Sequence, residues 1–361
     1  MGRRERTVCI IMSAVMAVFM AVAPGYFNRA RQELSIRGTP REREPFQGII
    51  TLWHIVGFKP YQGSLGSWLG SMAEDMEGRY PGIYFEVDSI TLEECGARIS
   101  RGERPDIYSF PLGWAGVEQL AQLALEPPVL RGNLCEAGRH GGELYGLPFA
   151  LSGYVVSCNL RLMQEQGIEE QKLSAMIRSG QVTAAGPAVA GAVYGAGAAM
   201  CAGEEYLSDE VTAAIIDARA AGDMNRRVQS GGSFVSSVME YGNYTDLVQL
   251  LGISRYAGES KLPYALEFIQ SVLEEEAQNS LLSLGLIPAA QGEYAPDSPP
   301  EPVVEILLKQ LEEPAAPNSF LYKRYRDQLA LSADAALSGD ASAKKDFDLR
   351  MQELVRGAAI R

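Results

Sequence analysis

Residues 48–159 alternate short apolar runs with helix-period segments, and that alternation confines the chain to an α/β architecture. The run Ile49-Ile50-Thr51-Leu52-Trp53-His54 is rich in β-branched and aromatic residues, the pattern of a strand. A glycine-punctuated turn follows. The next segment, from Ser67 to Ile83, carries Trp68, Leu69, Met72, Ala73 and Met76 at the spacing of one helix face. Tyr84-Phe85-Glu86-Val87 reads as a second strand, then a short helix, and Gly102-Glu103-Arg104-Pro105 leads into Asp106-Ile107-Tyr108-Ser109-Phe110 as a third. Strands alternating with helices predict a parallel sheet covered by helices.

At 361 residues, 47% hydrophobic and 21% charged, the chain has room for two domains with separate cores. The formal charge is −13, although residues 1–31 hold five Arg against one Glu, so the remainder is more acidic still. Such a surface repels nucleic acid and anionic headgroups, which excludes nucleic acid as a partner of the folded part.

Several ordered motifs run through this pattern. The first strand ends in Trp53-His54, and the helix after it closes on Glu77-Gly78-Arg79-Tyr80-Pro81-Gly82-Ile83. Gly102-Glu103-Arg104-Pro105-Asp106-Ile107 precedes a strand, and Gly142-Glu143-Leu144-Tyr145-Gly146-Leu147-Pro148-Phe149 precedes Gly153-Tyr154-Val155-Val156-Ser157-Cys158-Asn159. Later come Lys261-Leu262-Pro263-Tyr264-Ala265 and Gly285-Leu286-Ile287-Pro288. In this order, over about two-thirds of the chain, they resemble the family 1 extracellular solute-binding proteins, the ligand receptors of carbohydrate-type ABC importers. The resemblance implies a two-lobed periplasmic-binding-protein-like clamshell with hinge crossings. It also implies a small-molecule solute, by default a sugar or oligosaccharide, and the transmembrane subunits of an ABC permease as partner, with no cofactor. The resemblance thins from Ile168 to Ser233, so a shortened second lobe is expected.

On this reading residues 1–27 are a signal peptide or signal-anchor helix: Arg3, Arg4 and Arg6 precede an uncharged run from Thr7 to Phe27, long enough to span a bilayer core of ~30 Å. Ala21-Val22-Ala23 has the form of a cleavage site, but Pro24 follows it at once, and an uncleaved anchor is preferred. Family members often carry a lipid-bearing Cys just after the apolar run; here the nearby Cys is Cys9, at its front edge. An extracytoplasmic, membrane-associated location is expected. Residues 28–47 read as a hydrophilic tether, 48–150 as lobe one, 151–250 as lobe two, and 251–361 as helices packing back across both. Within these spans the pattern suggests helices over 208–221, 246–251, 263–284, 301–313, 322–337 and 340–356, and small residues Gly191, Gly195 and Ala199 suit close helix packing. Cys95, Cys135, Cys158 and Cys201 show no metal or redox spacing, and their pairing is open.

The catalytic inventory is thin. There are two His, no nucleophile-elbow motif and no Walker lysine motif, so no enzymatic activity is expected. Acidic pairs such as Glu74/Asp75, Glu93/Glu94 and Glu274/Glu275/Glu276 read as solvated helix faces, which disfavours a cell-wall glycan enzyme needing two carboxylates in one cleft. A sugar receptor instead combines stacking aromatics with short polar groups, placed beyond the carboxyl ends of the strands. Those ends nominate Trp53, His54, Phe110, Trp114, Tyr154, Glu240 and Tyr241 as ligand-binding residues. Trp53 reads equally well as a buried anchor and His54 as a structural imidazole, while Trp68 belongs to a core-facing helix stripe. A sensor or assembly protein that keeps the fold without transport is the alternative.

Overall fold

The computed structural model describes residues 46–114, 116–169, 172, 184–185, 213–229, 236–240, 243–294, 301–323, 329, 331–332, 335 and 340–357. The chain divides into a leading unit, Met1–Gln47, and a body, Gly48–Arg361. The expected anchor at 1–27 and nearly all of the tether lie outside the described residues, as do Gly191, Gly195, Ala199, Cys201 and Tyr241. No described helix is long and apolar enough to cross a membrane.

The body starts with β1 (Gly48–Ile55), α1 (Leu65–Arg79), β2 (Ile83–Ile90), α2 (Leu92–Ser100) and β3 (Ile107–Pro111). β1 pairs in parallel with β2 along its whole length, Gly48↔Ile83 to Ile55↔Ile90, and with β3 on its other side. Both helices begin where the sequence offers a cap: Ser64 Oγ accepts from the Ser67 N–H, and Thr91 Oγ1 from the Glu94 N–H. α1 buries Leu65, Trp68, Leu69, Ala73 and Met76, close to the stripe read from its spacing. Asp106 fastens the entry to β3, accepting from the Thr51 N–H at 2.9 Å and pairing with Lys261 Nζ at 2.7 Å.

After α3 (Leu134–Ala137) and the hairpin of β4 (Arg139–His140) and β5 (Glu143–Leu144), the chain forms β6 (Leu147–Leu151), β7 (Tyr154–Asn159) and α4 (Leu160–Glu165). Next come β8 (Ala184–Ala185), β9 (Ala213–Asp217), α5 (Ala218–Gln229), β10 (Ser236–Glu240) and β11 (Val248–Ile253). The chain continues through α6 (Leu262–Ser271), α7 (Glu275–Ser280), β12 (Ile287–Pro288), α8 (Pro302–Gln310) and α9 (Ala341–Gly357). Among the described residues the strands make two main sheets, one ordered β12-β6-β11-β3-β1-β2 and one ordered β10-β7-β9-β8. The chain leaves the first sheet after β6, builds the second from β7 to β10, and returns as β11 into the middle of the first.

Two helices expected from sequence are strands. Residues 248–251 belong to β11, antiparallel between β3 and β6 with all six of its residues buried. A strand buried on both faces is a continuous apolar run, which periodicity cannot tell from a short buried helix. Likewise 213–217 form β9, paired with β7 and β8, and the helix starts only at Ala218. Its first turn is capped by Asp217, whose Oδ1 accepts from the Ala220 N–H at 2.7 Å.

Candidate interlobe site and hinge

The carboxyl end of β1 lies one pair beyond Trp53-His54, because the strand runs on to Ile55. Trp53 and His54 are therefore strand-interior residues facing opposite sides of the sheet. Trp53 is 5% exposed; its ring meets Tyr108 edge-on at 6.2 Å, and the Arg98 guanidinium lies 5.2 Å from its centroid. Tyr108 contacts Trp114 at 5.1 Å, and Trp114 contacts Phe110 at 5.6 Å. The structure thus gathers three of the nominated aromatics into one cluster, but inside the first sheet's core. Phe110 is fully buried, and Trp114 is the half-buried member.

On the opposite face His54 Nδ1 stands 3.0 Å from Ser109 Oγ, and Gln249 Nε2 donates to that same oxygen at 3.0 Å and to the Ile55 carbonyl at 3.1 Å. The Ser109 hydroxyl can donate to a bare Nδ1 or accept from a protonated one, so the ring's tautomer sets the direction of this bond. The group ties β1, β3 and β11 together. Burial lowers the His54 pKa from 6.5 to about 4. A cation disfavoured in the fold contributes stability above the unfolded-state pKa and loses it as pH falls from 6.5 toward 4, at most about 3 kcal/mol. Comparing urea midpoints of the parent and His54→Gln at pH 7 and pH 4.5 isolates this part of acid sensitivity, which the variant should lack.

Tyr154 opens β7 and is 5% exposed, with its hydroxyl 2.5 Å from Asp246 Oδ1; Tyr322 donates to Asp246 Oδ2 at 2.6 Å. Burial first, and the Asp246 charge next, push both phenols well above 10, so they remain donors. The two passages between the sheets meet here, with residues 310–315 packed against them. Ser152 N–H donates to Leu247 O at 2.8 Å, and Thr245 Oγ1 donates to Ser152 O at 2.6 Å. Ala315 N–H donates to Asn243 O at 2.9 Å, and Gln310 Nε2 to Tyr154 O at 2.8 Å. A Cβ on Gly153 would sit 2.9 Å from Leu307 Cδ2, so the first passage packs directly against the side chains of α8. Tyr154 is thus built into the crossing. Glu240 ends β10 opposite Val155.

Sequence reading missed Asp246, Tyr322, Gln249 and Tyr61. Tyr61 lies in the loop between β1 and α1, where Gly57 crosses Pro111 so closely that a Cβ would come within 2.1 Å of the Pro111 Cβ. The glycines bounding Gly57-Phe58-Lys59-Pro60-Tyr61-Gln62-Gly63 were the available signal. Cys95 and Cys135 are free thiols, and the described residues contain no His, Cys, Asp and Glu group arranged to hold a metal ion.

No protein-family model matches the sequence, and no curated protein matches it. Solved structures do match in fold. An ABC substrate-binding protein from Listeria monocytogenes, in complex with cycloalternan, superposes with a TM-score of 0.56 at 15% identity, over 88% of this chain and 100% of that one. The cyclic α-maltosyl-1,6-maltose binding protein of Arthrobacter globiformis gives 0.61 at 14% identity, over 87% and 99%. The GacH receptor of Streptomyces glaucescens gives 0.56 at 14%, over 87% and 98%. The motifs that resemble the family 1 solute-binding proteins therefore sit on an α/β body with the periplasmic-binding-protein-like fold of ABC substrate-binding proteins.

Proposed function

We propose that this chain is an extracytoplasmic receptor of an ABC importer that captures a sugar or oligosaccharide between two lobes and presents it to the permease. One lobe is built on the first sheet, with β11, α6, α7 and β12 returning to it, and the other on the second sheet. The observation that carries this reading is the crossing: two sheets joined by the passages from β6 to β7 and from β10 to β11, beside the part-buried Asp246 carboxylate that Tyr154 and Tyr322 share. Such a joint permits rotation of one body against the other about a few residues while each sheet stays intact. The solved proteins of this fold named above are binding proteins, which supports a non-enzymatic role. The basic, then apolar, N-terminus supports membrane attachment outside the cytoplasm.

Trp114 is the nominated aromatic best suited to stack on a sugar, since it follows the carboxyl end of β3 and keeps part of its ring free. A panel of maltodextrins, chito-oligosaccharides and cyclic glucans tests this by thermal shift. A cognate solute at about 100 times its dissociation constant should add about 2.7 kcal/mol of stability. A well-folded protein unmoved by the whole panel would favour a membrane-attached sensor or assembly role. The burial of Trp53 and Phe110 in the core, where neither offers a stacking face, favours that second reading.

A further inference from the structure

The loop between β1 and α1 is exposed at Lys59, Gln62, Gly63 and Ser64, yet the Tyr61 ring among them is only 6% exposed. Two glycines hold it. A Cβ on Gly285, itself at φ +70, would lie 2.4 Å from Tyr61 Cβ, and a Cβ on Gly222 would lie 2.8 Å from Tyr61 Cε2 and 3.0 Å from Cδ2. Gly285 and the neighbouring residues stay with the first sheet, where Gln62 donates through its N–H to Leu284 O at 3.1 Å and through Nε2 to Ser283 O at 2.6 Å. Gly222 belongs to α5, which follows β9 of the second sheet. From that helix Arg219 Nη1 donates to Tyr61 O at 3.2 Å, while its Nε faces Asp223 Oδ2 at 3.5 Å. A loop anchored on one lobe thus lays an aromatic ring on the bare backbone of a helix in the other. None of these residues takes part in the crossing at Asp246.

Resting on the receptor reading above, we propose that Tyr61 is a latch that holds the two lobes together without solute. The face of the ring against Gly222 is buried only while the lobes are closed, so it biases the empty protein toward closure. Solute then enters in the fraction of time the Tyr61–Gly222 contact is broken, and the strength of that contact sets how often the cleft is open. The glycine at 222 fits this role. In the interior of α5 an Ala or Leu would be the better helix former, and glycine is instead what lets the ring approach.

The test is a distance measurement on the full-length chain with no sugar present, which separates its outcome from whether any carbohydrate binds. Spin labels introduced through unnatural amino acids replace Glu103 and Glu165, an exposed residue of each lobe, and leave the native thiols untouched. The parent should give a short distribution. Gly222→Leu and Tyr61→Ala should each move the open-to-closed ratio roughly tenfold toward a longer distance. Gly70→Ala, in α1 with nothing within 4 Å of the added Cβ, is the control and should not move it. Cooperative unfolding of each variant establishes that it is folded. Folded Gly222→Leu or Tyr61→Ala with the parent's distribution would overturn the latch.

Discussion

Asp246→Ala should lower the unfolding free energy by about 3 kcal/mol. The carboxylate accepts from Tyr154 at 2.5 Å and from Tyr322 at 2.6 Å, and those residues are 5% and 2% exposed. Removing it deprives two buried phenols of a charged acceptor, and each buried donor left without its partner costs roughly 1–3 kcal/mol. Asp246→Asn keeps one acceptor oxygen and should lose less. Guanidinium unfolding at neutral pH checks both, and a loss for Asp246→Ala below about 0.5 kcal/mol, the range of an ordinary surface change, would mean the cluster does not hold the crossings.

The second large effect concerns the aromatic cluster. Phe110→Ala should cost about 3–5 kcal/mol, because the ring is fully buried on β3 and its removal leaves a void in a packed core. Trp53→Ala should fall in the same range, since it loses the Tyr108 contact and the Arg98 stack as well as its buried area. Trp114→Ala should cost about 1–2 kcal/mol, as a half-buried ring gives up less. Equal losses at all three positions would place Trp114 in the core too.

How much of this was legible in the sequence depended on whether the signal was local. α1 was readable because one apolar face and a Ser cap lie within sixteen residues of each other. β11 was not, because Val248–Ile253 is apolar throughout and its strand character comes from β3 and β6, more than ninety residues upstream. The candidate site divided in the same way. Strand ends and aromatic identity nominated Trp114, which is half-buried, and Tyr154, which is built into the crossing, and put Trp53 and His54 at an end that β1 overruns. Asp246 carries no spacing relation to Tyr154 or Tyr322, which lie 92 and 76 residues away, so only the folded crossings bring them together.

The account's central claim is that a solute binds between the lobes, and tryptophan emission tests it most directly. Trp53 and Trp68 are 5% and 8% exposed, which leaves Trp114 as the partly exposed tryptophan. Titration of the full-length chain with the oligosaccharide that gives the largest thermal shift should change the emission saturably, at the concentrations that raise stability. The change should vanish in Trp114→Phe, and binding measured by calorimetry should weaken without disappearing. An emission change that survives Trp114→Phe undiminished, or calorimetric binding that Trp114→Phe leaves untouched, would contradict a solute held against β3 between the two lobes.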